Sequence, residues 1–162
     1  MFEVAAAGLS RTEARAEILA QIGGLLAGER DRTANCANVS ALLYTLMPEL
    51  NWAGFYFLKP DGWLVLGPFQ GKPACVRIGP GKGVCGAAVV ARAPVRVADV
   101  FAFPGHIACD AQSRAELVVP IIREGVVLGV IDLDSPVPGR FEAEDAAMLG
   151  QVAALVAAGC DW

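Results

Sequence analysis

Apolar residues recur at Ile18, Ile22, Leu25 and Leu26 behind Ser10-Arg11-Thr12-Glu13, a capping-box pattern, so the chain is predicted to open with an amphipathic helix ending near Gly28. A second helical stretch runs from about Thr33 to Met47 and is stopped by Pro48. The texture then changes. Asn51 to Leu58 reads as a strand, Pro60-Asp61-Gly62 as a turn and Trp63 to Leu66 as the return strand. A short strand is expected around Cys75 to Ile78, a short helix over Val84 to Ala91 and a short strand at Val95 to Val97. Asp99 to Gln112 contains Pro104 and Gly105 and shows no periodicity, which predicts a long loop, and long loops in compact domains often carry function. Two further strands, Glu116 to Ile122 and Val126 to Leu133, flank Arg123-Glu124-Gly125. A closing helix from about Glu142 places Leu149, Val152, Leu155 and Val156 along one face. Hairpin-like turns between strands, with helices at both ends, predict an α+β domain built on an antiparallel sheet.

Composition narrows this picture. The chain of 162 residues is 55% hydrophobic, which excludes disorder and suits one domain with a sizeable core. The net charge of -4, with Lys and Arg scattered, gives no footprint for nucleic acid. No run of 18 apolar residues predicts a membrane span, and the N-terminus lacks the basic segment of a secretory signal. A cytoplasmic address follows, where thiols stay reduced unless chemistry oxidises them. Five cysteines is an odd number, so at least one is free and a simple disulfide framework fits poorly.

Three of those cysteines carry the candidate chemistry. Cys75 lies in Gly71-Lys72-Pro73-Ala74-Cys75-Val76-Arg77, and Cys85 in Gly81-Lys82-Gly83-Val84-Cys85-Gly86, where a glycine-rich turn feeds a helix. Cys109 precedes Asp110 and stands three residues after His106, the one histidine of the chain. Thiols beside basic residues and loop backbone point to thiol redox chemistry. Cys36 and Cys160 read as helical residues without polar company, hence as packing.

Asn51-Trp52-Ala53-Gly54-Phe55-Tyr56, Gly81 to Gly86, His106-Ile107-Ala108-Cys109-Asp110, Ser113-Arg114-Ala115-Glu116 and Ile131-Asp132-Leu133-Asp134-Ser135 together resemble the free methionine-(R)-sulfoxide reductases, a family of freestanding GAF-domain enzymes. The resemblance covers roughly Ala14 to Val156. It implies a GAF fold with a central antiparallel sheet of about six strands flanked by helices and a pocket under a loop. The domain would fill residues 1–162, with N-terminal helices at about 10–47, sheet and pocket at about 50–135 and a C-terminal helix at about 142–158. It further implies reduction of free methionine-(R)-sulfoxide with thioredoxin as electron donor, no metal or organic cofactor, and a homodimer. Cys109 matches the family's catalytic cysteine, Cys75 its resolving cysteine and Cys85 a third. The implied redox disulfide is Cys75–Cys109, with Cys85–Cys109 as the alternative. Glu116, Asp132 and Asp134 match pocket carboxylates, and Trp52 and Tyr56 an aromatic wall.

The residue types suit that chemistry. Thiolate attack on a sulfoxide sulfur yields methionine and a cysteine sulfenic acid, which a second thiol converts to a disulfide opened by an external dithiol. Asp132 and Asp134 are two apart on a strand and share a face, and like charges there, with Glu116, push at least one carboxyl toward the protonated form. Trp52 and Tyr56 likewise share a face. The plainer alternatives are ordinary core for the aromatics, a solvated strand end for Asp132-Leu133-Asp134 and a loop hydrogen bond for His106. Rival functions are a non-catalytic GAF sensor of a small ligand, and a zinc site of Cys75, Cys85, His106 and Cys109, in which only His106 and Cys109 are as close as the ligand pairs of metal knuckles while Cys75 and Cys85 are ten apart.

Overall fold

The computed structural model describes residues 8–105 and 110–162. Helices α1 (Arg11–Leu26) and α2 (Arg32–Leu46) lead into strands β1 (Trp52–Leu58), β2 (Leu64–Gly71) and β3 (Arg77–Ile78). Helix α3 (Gly83–Ala91), β4 (Val95–Val97), a 3-10 turn at Val100–Ala102, β5 (Ala115–Arg123), β6 (Val126–Ser135) and α4 (Ala143–Gly159) follow. The strands form one antiparallel sheet in the order β3-β2-β1-β6-β5-β4.

Local chemistry accounts for most boundaries. Ser10 Oγ accepts from the Glu13 amide while the Glu13 carboxylate accepts from the Ser10 amide, so the predicted capping box is formed. Asp31 caps α2 through the Ala34 amide. The strand prolines Pro68 and Pro120 lie beyond the last pairs with β3 and β4, where the sheet has no second neighbour that needs a donor.

Alternation along the strands then builds two different faces. Ala53, Phe55 and Phe57 of β1, Leu117, Val119 and Ile121 of β5, and Ile131 and Leu133 of β6 join α1, α2 and α4 in one apolar core. Their even-numbered neighbours Trp52, Tyr56, Val118 and Val130 face the opposite side, where α3 supplies Val84, Cys85 and Ala88. One side is thus sealed by three helices. The other, covered by a single short helix and loops, leaves room for a cleft.

Several expectations shift. β2 runs on to Gly71, and β3 is confined to Arg77–Ile78, so Cys75 sits in a loop. On α4, Leu149, Val152 and Val156 are buried as predicted, but Leu155 is 37% exposed, and Met148 and Ala153 complete the face instead. The helix stripe at 3.6 residues per turn passes between positions 153 and 156. Cys160 stands just past α4, and its Sγ accepts from Asn35 Nδ2 at 3.6 Å, so it and its neighbour Cys36 do have polar company. Both thiols are fully buried, and burial pushes each one up.

Candidate active site

The even-numbered positions of β1, β5 and β6 meet across the sheet. Glu116 pairs directly with Asp134, Val118 with Asp132, and Trp52 with Asp134. Trp52, Tyr56, Cys85, Glu116, Asp132 and Asp134 therefore line one open cleft, together with Lys72, Pro73 and Ala74 of the β2–β3 loop. The expected pairing of aromatic wall and carboxylates in one place is formed.

The wall is rigid. Trp52 stacks on Tyr56 at 5.9 Å between centroids and on Phe69 at 5.4 Å. Gly54, between the two aromatics on the same face, makes this possible: a Cβ there would lie 2.6 Å from the indole and 2.4 Å from Phe69 Cβ. Trp52 Nε1 donates to the Lys72 carbonyl at 3.2 Å, and the Tyr56 hydroxyl donates to the Cys75 carbonyl at 2.9 Å. The wall thus holds both ends of the Cys75 loop.

Cys85 opens α3 on the cleft's floor, and its thiol donates to Asp132 Oδ2 at 3.4 Å. Gly86 lets α3 settle there, since a Cβ would come within 2.5 Å of the Gly81 carbonyl carbon. The surroundings of Cys85 differ from the sequence expectation of basic neighbours. It is buried, and burial first, then the charges of Asp132 and Glu116, push its thiol well above the ordinary range. Such a thiol is held protonated.

The three carboxylates share one cause of perturbation. Burial leads in each case, lifting Asp132 to about 7 and Glu116 and Asp134 well above the usual carboxylate range. Mutual repulsion adds to Glu116 and Asp134, while a hydrogen bond with Ser113 opposes the rise in Asp134. Asp132 is 6% exposed, and its Oδ1 has no protein partner. At the rim the environment reverses. Asp110 accepts from the Gln112 amide, from Lys72 and from Asn51, and these hold its carboxyl below the usual value. One cleft therefore contains carboxyls that keep protons and one that gives its proton up, the division of labour that acid–base chemistry needs.

Asn51, Lys72 and Ser113 are site residues that sequence reasoning did not single out. Asn51 Nδ2 donates to Ser113 Oγ at 3.0 Å, and Ser113 in turn steadies Asp134. Lys72 Nζ reaches Gln112 Oε1 at 2.7 Å, tying the β2–β3 loop to the segment before β5. Asn51 and Ser113 stand inside the motif segments, but no periodicity marks them.

Cys75 is disulfide-bonded, whereas Cys36, Cys85 and Cys160 are free. His106 and Cys109 lie outside the described residues. Among the described residues, Cys85, Glu116 and Asp132 are the group whose ligand atoms could meet on a metal ion, all within 4.8 Å of one another.

A six-stranded antiparallel sheet with three helices behind it and a cleft in front is the arrangement of the GAF class, and the GAF domain family matches residues 16–159. Protein YtsP of Bacillus subtilis is 56% identical over 137 residues, 84% of each chain. The free methionine-R-sulfoxide reductase of Escherichia coli is 50% identical over 146 residues, 90% of this chain and 88% of that one. The crystal structure of the Neisseria meningitidis free methionine-R-sulfoxide reductase in complex with its substrate superposes with a TM-score of 0.93 at 40% identity, covering 98% of this chain and 95% of that one. The chain belongs to the GAF-domain family, in its free methionine-R-sulfoxide reductase branch.

Proposed function

We propose that this chain reduces free methionine-(R)-sulfoxide to methionine in the cleft between β1, β5 and β6. The carrying observation is the meeting of a stacked aromatic wall with three proton-retaining carboxyls in a chain half identical to a named reductase. Trp52 and Tyr56 receive the methyl and methylene groups, since sulfur favours aromatic contacts. A protonated carboxyl among Glu116, Asp132 and Asp134 donates to the departing sulfoxide oxygen, and another of the three ionises as the positive α-ammonium binds beside it. That ammonium exists only on the free amino acid or a chain terminus, so a sulfoxide within a peptide is rejected.

Cys109 is the attacking thiol. Its thiolate bonds to the sulfoxide sulfur, the oxygen is protonated, and methionine leaves as Cys109 becomes a sulfenic acid. The Cys75 thiol then displaces water to form a disulfide, which an external dithiol, thioredoxin, reopens by exchange. The disulfide at Cys75, with Cys36, Cys85 and Cys160 all free, supports this pairing. The raised Cys85 thiol argues against it as the first nucleophile and leaves it the alternative resolver. The working form is a homodimer in the cytoplasm. None of the described helices is long and apolar enough to cross a membrane.

Turnover of free methionine-(R)-sulfoxide against the S epimer, with thioredoxin as reductant, is the test, and only the R epimer should be consumed. Cys109→Ser should yield no methionine even in a single turnover. Tight binding of a small ligand without turnover would favour the sensor reading instead.

A further inference from the structure

We propose that the floor of this cleft is also a site for a thiophilic dication such as Zn²⁺ or Cd²⁺, held by Cys85 Sγ and the carboxylates of Asp132 and Glu116, which blocks the enzyme rather than serving it. The ligand atoms of these residues, one per side chain, lie within 4.8 Å of one another, and all three residues are buried. Tetrahedral coordination with bonds of about 2.0–2.3 Å separates ligand atoms by about 3.3–3.8 Å. Cys85 Sγ and Asp132 Oδ2 are already 3.4 Å apart, so this edge needs no rearrangement. Asp132 adds the second observation. The residue is 6% exposed and lines the cleft, and its Oδ1 is buried without a protein partner, so the carboxylate beside Cys85 keeps an uncompensated acceptor.

The donor set selects the metal. A thiolate prefers Zn²⁺ or Cd²⁺, whereas Mg²⁺ and Ca²⁺ want oxygen shells of six or more. Binding is an exchange of protons for metal: the Cys85 S–H proton, and those the carboxyls retain, leave to solvent as the metal–ligand bonds form. No electrons move. Burial first, and then the charges of neighbouring acids, favour the protonated forms of Cys85 and Glu116, and a dication bound among these groups offsets that charge. This ligand set shares only Cys85 with the four-residue zinc site weighed from the sequence. Its carboxylates come from β5 and β6, which the sheet register brings to α3. That the ion competes with sulfoxide rests on the proposed function. The coordination itself does not.

The probe is Cd²⁺ alone, added to full-length chain carrying Cys75→Ser and Cys109→Ser, which removes the redox dithiol and prevents turnover. One Cd²⁺ per chain should bind, with a thiolate-to-cadmium charge-transfer band in the ultraviolet and proton release into weak buffer. Adding Cys85→Ser should abolish the band, Asp132→Asn should weaken binding, and Cys36→Ser with Cys160→Ser should leave it intact. Absence of the band up to millimolar Cd²⁺, or its survival in Cys85→Ser with circular dichroism unchanged, overturns the proposal. In the same background, free methionine-(R)-sulfoxide should raise the apparent Cd²⁺ dissociation constant. If the band forms but the sulfoxide does not bind by calorimetry, the proposed reaction fails while the metal site stands. If both bind without competing, the blocking role is wrong.

Discussion

Asp132→Asn isolates the energetic consequence of burying an acid at the foot of β6. The folded carboxyl titrates at about 7, against about 3.9 in an unfolded chain. The folded state thus holds this proton more tightly, and the resulting stabilisation is complete below about pH 4 and drains away as pH rises through about 7. At 1.36 kcal/mol per pH unit, the loss between about pH 5 and full ionisation is about 2–3 kcal/mol, a large share of the roughly 5–15 kcal/mol that holds a domain together. Part of the proton change can be passed to Glu116 and Asp134, whose carboxyls are raised by the same burial, so this figure is an upper bound. Asparagine has the same shape and no charge to desolvate. Urea unfolding followed by circular dichroism at about pH 5 and about pH 8.5, with the Cys75 disulfide intact in both proteins, reads the difference. The variant should gain about 2–3 kcal/mol on the parent between the two pH values, roughly 4–12 °C in melting midpoint for a chain of this size. Asp110 and Asp99, whose carboxyls are held below the usual value, stay ionised between these two pH values and add no difference. Parallel curves, within about 0.5 kcal/mol, would mean that ionised Asp132 suffers no penalty in the cleft, and its role as a proton-retaining group would fall with it.

Three other outcomes are expected of the proposed function and the cleft. Cys75→Ser should complete one turnover, giving methionine and a sulfenic acid at Cys109, yet lose recycling by thioredoxin; recycling at the parent rate, read by NADPH consumption, would make Cys85 the resolver. Asp134→Asn and Glu116→Gln should each slow single-turnover reduction by about 10²-fold or more, and the parent rate should fall at high pH as the donor ionises. Near-parent rates in both variants would leave the carboxylates only a shaping role. Gly54→Ala forces a methyl group into the Trp52–Phe69 stack, so KM should rise more than kcat falls and stability should drop by about 1–3 kcal/mol, while an unchanged KM and melting midpoint would show that the wall yields freely.

What the sequence determined by itself was local. The Ser10–Glu13 cap, the stop before Pro48, the β1–β2 turn and the apolar strand runs of β5 and β6 are encoded within a few residues of where they act. The two-residue period of any strand put Asp132 with Asp134, and Trp52 with Tyr56, on shared faces, because successive strand side chains must alternate. Which face was solvent, core or cleft was beyond that pattern. Only the sheet order set Glu116 opposite Asp134 and turned an apparent strand end into an acid cluster in which Glu116 and Asp132 are buried and Asp134 half-buried. The Leu155 position shows the limit on the helix side: a stripe read from sequence has a width, and the packing partner decides which edge of it is buried. Cys85 is the sharpest case. Its sequence segment offers glycines and Lys82, but its neighbours in space are carboxylates from two distant strands, and the charge felt by a thiol falls off with distance through the fold and not along the chain.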